Sequence, residues 1–148
     1  MGRITAESQR HYAAYALFNQ AMADHLGLHP TDLQCVSMLD LEGRPVTTGR
    51  IAKLTGLTPG SASRLVDRLE KAGLVERRAD PVDRRRALVE LTPGVQDRIA
   101  AAWDRPGAAY NELLATYSDA ELRLIADYLG RATGMALGQV ERLASGDR

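Results

Sequence analysis

The sequence predicts a mainly helical chain with one small β-ribbon, on three observations. Apolar residues recur at helical spacing through most of the 148 residues. The apolar runs are separated by helix punctuation, with Gly closing and Thr-Pro opening. Only residues 74–91 read otherwise, as two short strands around ADPVDRR, a loop built from turn formers.

The first helix is expected at about residues 5–26, where Tyr12, Tyr15, Ala16, Asn19, Met22, Ala23 and Leu26 share a face. Gly27 fits its stop, and Pro30 opposes continuation. Thr31 reads as the N-cap of a second helix, with Asp32 in its first turn and Leu33, Val36, Met38 and Leu39 inward. Gly43 ends that helix, and Pro45 keeps the following residues extended. A short third helix, about 48–55, turns Ile51, Ala52 and Leu54 inward before Gly56 turns the chain. Thr58 caps a fourth helix, with Pro59 at its first position, where a missing N–H costs nothing. Its inward stripe is Ala62, Leu65, Val66, Leu69 and Ala72, and Gly73 closes it.

Strands are expected at 74–79 and 86–91, with Ala87, Val89 and Leu91 on one face. Thr92-Pro93 repeats the cap-then-proline signal for a helix through Val95, Ile99, Ala102 and Trp103. Pro106-Gly107 predicts a kink or break there, before the pattern resumes at Tyr110, Leu113, Leu114 and Tyr117. Ser118 and Glu121 form a capping box for a last helix. Its stripe of Leu122, Ile125, Leu129, Ala132, Ala136, Val140 and Leu143 is too long for a small bundle to bury alone.

The formal net charge is zero, but its distribution is uneven. Residues 44–91 carry eleven Lys/Arg against six Asp/Glu, a net of +5, and the remainder balances it at −5. That split puts a local positive field on a neutral molecule. A single cysteine, Cys35, excludes an intrachain disulfide, and no segment has signal-peptide or membrane-span character. A soluble cytoplasmic protein with no membrane association is expected. No phosphate loop, nucleophile elbow or metal-protease helix is present, so neither an enzyme nor a cofactor is expected.

The short helix, tight turn and capped helix have helix-turn-helix order. At ~100° per residue, Gly60, Arg64, Asp67 and Lys71 lie opposite Leu65 and Val66. Thr58, Ser61 and Ser63 are small and hydroxylic, suited to base edges or phosphates at a helix N-terminus. Arg64 suits a base-edge contact, because its planar fork matches guanine O6/N7. Arg68 and Lys71 are expected on phosphates. At the ribbon tip, Asp80 and Asp83 neighbour Arg84, Arg85 and Arg86. One aspartate pairs with an arginine to shape the tip, leaving another arginine for the minor groove. The bland alternatives are an ordinary amphipathic surface helix and a solvated loop of internal ion pairs.

Residues 31–92 resemble the winged helix-turn-helix of MarR-family transcriptional regulators. The resemblance rests on IAKLTGL, on TPGSASRLVDRLEKAGLVER, and above all on the wing DPVDRRRALVELT. In that wing Asp83 and Arg85 occupy the family's D-x-R positions, and L-T-P leads into the next helix. The resemblance implies one MarR-like domain over residues 1–148, with the DNA-binding region at 31–92 and dimerisation helices at 1–30 and 93–148. It implies a homodimer on a palindromic operator of double-stranded DNA, with the helix from Thr58 in the major groove. Arg85 or Arg84 would then enter the minor groove, with Asp83 stabilising the wing. It also implies a repressor released by a small-molecule effector. A winged-helix protein-interaction module without DNA binding is the alternative.

His11, Tyr12, Tyr15 and Trp103 could line an effector pocket or simply pack. Cys35, between apolar turns with no flanking base, reads as a core thiol. His25, His29 and Cys35 lack the spacing of a metal motif, so no metal site is expected.

Overall fold

The computed structural model describes residues 1–83 and 86–145. Its elements are α1 (Gly2–Leu26), α2 (Pro30–Glu42), β1 (Val46–Thr47), α3 (Thr48–Thr55), α4 (Pro59–Lys71), β2 (Val75–Ala79), β3 (Ala87–Leu91), α5 (Pro93–Leu114) and α6 (Asp119–Ser145). Two compact units divide the chain, Met1–Ala102 and Trp103–Arg148.

In the first unit one core gathers side chains from seven elements. Cys35, Val36 and Leu39 of α2 meet Ile51 of α3 and Leu65, Val66 and Leu69 of α4. Val46, Val75 and Val89 close it from the three strands, with Val95 of α5. The predicted α4 stripe is therefore buried, except that Ala72 is exposed as the C-cap. The expected ribbon is an antiparallel sheet of order β1-β3-β2, with Val46 opposite Val89 and Val75 opposite Leu91. β1 is a strand the sequence signalled only as residues held extended after Pro45. Its two residues carry no periodicity, and pairing with β3 defines it.

Local chemistry sets the helix ends. Thr47 and Thr58 cap α3 and α4, their hydroxyls accepting from the N–H groups of Arg50 (3.2 Å) and Ser61 (3.3 Å). Between the two helices Gly56 adopts φ +69°, which lets the chain reverse within three residues. One cap expectation is corrected, while α5 begins at Pro93 after Thr92 as expected. His29, not Thr31, caps α2: its Nδ1 accepts from Thr31 N–H at 3.2 Å, because Pro30 already occupies the first helical turn. The Thr92 hydroxyl donates to the Gly73 carbonyl at 2.7 Å, tying the start of α5 to the end of α4.

The first helix is buried only near its end, at Met22 and Ala23, while Tyr12, Tyr15 and Ala16 are exposed. Pro106 does not break α5, which continues to Leu114 with Pro106 inside it. The proline removes one N–H donor, and the alanines on both sides (Ala100–Ala102, Ala108, Ala109) favour the helix enough to continue it.

In the second unit the Ser118–Glu121 capping box starts α6. Glu121 Oε2 accepts from Ser118 N–H (2.8 Å) and Ser118 Oγ (2.6 Å). Those bonds, the side-chain one first, hold the Glu121 carboxyl below its ordinary range. Along α6, Leu122, Ile125 and Ala132 are half-buried, whereas Leu129, Ala136, Val140 and Leu143 are exposed.

Cys35 is 1% exposed. Burial, with the nearby Asp32 charge adding to it, pushes its thiol up to about 12. At pH 8 the native protein is therefore expected to react with a thiol reagent far more slowly than the urea-unfolded chain. Equal rates would show that Cys35 is accessible. Alanine at Gly56 must adopt the left-handed conformation and is expected to cost about 1–2 kcal/mol. Asparagine should cost less, because it tolerates that region better. Urea midpoints at unchanged m-value check both.

Candidate nucleic-acid interface

Burying Ala62, Leu65, Val66 and Leu69 forces the opposite side of α4 into solvent. Gly60, Arg64, Asp67 and Lys71 are all exposed there, as the helical spacing requires. At the N-terminal end the hydroxyls are already organised. Thr58 Oγ1 donates to Ser61 Oγ at 3.0 Å, and Arg64 Nη2 donates to the same Ser61 Oγ at 3.2 Å. Ser63 Oγ donates to the Pro59 carbonyl at 3.1 Å. Arg64 thus leans toward the helix N-terminus with no carboxylate partner among the described residues, and Lys71 has none either.

The two acids of α4 are occupied elsewhere. Arg77 of β2 donates to Asp67 Oδ1 at 2.6 Å and also binds Glu70. Burial opposes the Arg77 charge, and these two carboxylates outweigh it, raising the guanidinium pKa. The Arg77 guanidinium neutralises Asp67 on the reading face and Glu70 beside it, and ties α4 to the sheet. Arg68 differs from Arg64 and Lys71. Its Nη2 donates to Asp32 Oδ1 at 2.5 Å and its Nε to Oδ2 at 2.9 Å. Arg68, expected on a phosphate, is thus paired with Asp32 while its side chain stays half exposed.

The wing turn is built by both aspartates. Asp80 Oδ1 accepts from the N–H groups of Val82 (2.8 Å) and Asp83 (3.3 Å), and Asp80 N–H donates to the Arg86 carbonyl (3.1 Å). Asp83 Oδ2 pairs with Arg86 Nε at 3.3 Å. Arg84 and Arg85 lie outside the described residues. Beside the wing base, Thr47, Thr48, Gly49, Arg50, Lys53 and Arg86 line a cleft of about 600 Å³. Arg50 there is held by Glu42 at 2.6 Å.

Sequence reasoning gave Asp32 only a helix-start role in α2 and singled out neither Arg77 nor this cleft. Asp67 on the outward face and Glu70 on its flank are three residues apart, close enough for one guanidinium to meet both. Of the effector candidates, His11, Tyr12 and Tyr15 are exposed on α1, with His11 ring contacts of 6.2 and 6.5 Å to the tyrosines. Trp103 begins the second unit. Among the described residues no His/Cys/Asp/Glu group could hold a metal, and no helix is long and apolar enough to cross a membrane.

A family model described as MarR family matches residues 26–86. The chain is 41% identical over 127 residues to the uncharacterized HTH-type transcriptional regulator YcgE of Bacillus subtilis (strain 168), spanning 86% of this chain and 82% of that protein. A solved MarR family transcriptional regulator from Silicibacter pomeroyi DSS superposes with a TM-score of 0.68 at 25% identity, over 86% of this chain and 85% of that one. Another from Silicibacter pomeroyi, at 21% identity, shares the fold with a TM-score of 0.71 over 88% of each chain. Identity this extensive, on a fold shared with solved members, means that the chain belongs to the MarR family of winged helix-turn-helix, DNA-binding transcriptional regulators.

Proposed function

We propose that the chain is a ligand-responsive repressor that binds a palindromic operator as a homodimer. The carrying observation is the outward face of α4, where Arg64 and Lys71 stand clear while Arg77 occupies Asp67 and Glu70. In this reading residues 31–92 form the DNA-binding region. The helix from Thr58 enters the major groove, Arg64 reads a guanine edge, and Thr58, Ser61, Ser63 and Lys71 meet bases or phosphates. Arg85 or its neighbour Arg84 in the wing reaches the minor groove, on a turn that Asp83 stabilises. Lys53 and the cleft at the N-terminus of α3 extend the phosphate track.

Residues 1–30 and 93–148 pair two copies. Support comes from apolar side chains left in solvent in the single chain: Leu17 on α1, and Leu129, Val140 and Leu143 on α6, the last 80% exposed. A two-fold dimer presents two reading helices to half-sites about one helical turn apart, or a near multiple. Release requires an effector that binds the non-operator spacing better than the operator spacing. The exposed His11, Tyr12 and Tyr15 rings are the proposed contact for a small aromatic or anionic effector on α1. The buried Cys35 thiol argues against an oxidant as the signal.

Against fragments of its own promoter region, the protein is expected to form a sequence-preferring complex whose affinity falls steeply with salt. Arg64→Ala should weaken the best site by ~1–3 kcal/mol and relax its sequence preference, with the dimer intact. No salt-sensitive, sequence-preferring retention by the wild type would overturn the reading. Leu129→Asp places a charge on the α6 face and is expected to give monomers by light scattering. A stable dimer would remove α6 from the interface.

A further inference from the structure

Helix α4 carries two ion-pair ties, one on each flank of its reading face. At ~100° per residue Arg68 lies on the flank shared with Ser61, and Glu70 on the flank shared with Ser63. On the Glu70 side, Arg77 ties α4 to the sheet. On the Arg68 side the partner is Asp32, in the first turn of α2, 36 residues away. Asp32 is the one charged residue buried among those described, at 4% exposure. The fork grips it three ways: Nη2 to Oδ1 (2.5 Å), Nε to Oδ2 (2.9 Å) and Nε to Oδ1 (3.2 Å).

Apolar packing decides which face of α4 is buried, but it is non-directional and tolerates small rotations and slips. A two-donor guanidinium fork on one carboxylate, with the Nε–H shared between its two oxygens, is directional and favours one orientation. A buried carboxylate also cannot be left unpaired without a large desolvation cost, so Arg68 is held where Asp32 stands.

Resting on the DNA-binding reading above, we propose that Arg68 is a positioning residue. The Asp32–Arg68 pair sets the rotation of α4 about its own axis, and thereby aims Arg64 at a base edge, and Arg68 itself is not a phosphate contact. Sequence discrimination then depends on Asp32, a residue on another helix that is sealed from DNA.

The alternative roles differ in sign, which makes the test sharp. Asp32→Asn and Arg68→Lys are compared with the wild type by titrating the preferred promoter fragment and a non-specific duplex across a salt series, well below the melting temperature. The positioning role predicts that each variant loses about tenfold on the preferred fragment, the scale of one spoiled base contact. Non-specific binding and the salt slope should stay unchanged.

Were Arg68 a phosphate contact, Asp32→Asn would release it, tighten binding to both duplexes and steepen the salt slope by about 0.9. Arg68→Lys would then bind almost as the wild type does. Either result overturns the proposal. A lower melting temperature with unchanged discrimination in both variants also overturns it, leaving the pair a stabilising contact only. Should Asp32→Asn fail to fold, Arg68→Lys decides alone, because a lysine keeps the charge and loses the fork. Wild type that prefers no fragment would bring down the DNA-binding reading and this inference together. A discriminating wild type with equally discriminating variants rejects the positioning role alone.

Discussion

The one-sided burial of α4 is the constraint on which the rest depends. Ala62, Leu65, Val66 and Leu69 are each at most 1% exposed, and together they form the centre of the core. Once that face is committed, helical geometry puts Arg64 and Lys71 in solvent. α2, α3 and the three strands pack around the same cluster, so the scaffold and the reading surface are two sides of a single helix. Losing the apolar stripe would cost stability and address together.

Electrostatics refines what burial begins. The positive segment, 44–91, contains enough acid to blunt its own field. The fold disposes of that acid by pairing. Arg77 takes Asp67 and Glu70, Arg86 takes Asp83, and Arg78 takes Glu90 at 3.1 Å. Exposed pairs of this kind add little stability. Their larger effect is on the field, because Arg77 neutralises Asp67 and Glu70 while Arg64 and Lys71 on the same α4 face keep no carboxylate partner among the described residues. The pair with Asp32 is of another kind, since its carboxylate is buried and its geometry directional.

The two units differ in how much apolar surface a single copy can cover. The first encloses a closed core and leaves a stretch of α1 bare. The second leaves Tyr110, Leu113, Leu129, Val140 and Leu143 in water. A chain whose helices bury one face locally and expose another has the surface pattern of a protomer, consistent with the dimer proposed above.

Sequence by itself determined what short-range physics controls. Thr58-Pro59 opens α4, Gly56 and Gly73 end helices at positive φ, Ser118 and Glu121 box the start of α6, and the 3–4 spacing names the buried face. Each of these depends on residues within about one turn of one another, so composition and order suffice. Only the tertiary structure decided the rest. Val46 and Thr47 become a strand because β3 lies beside them, and His29 displaces Thr31 as a cap because Pro30 already fills the first turn. Pro106 stays within a helix that its alanine-rich flanks sustain. Arg68 faces Asp32 across 36 residues, and Arg77 reaches back to α4, through contacts that no periodicity encodes. The division is physical: hydrophobic spacing and caps are local properties of a helix, whereas the partner of a charge depends on which elements the core brings together.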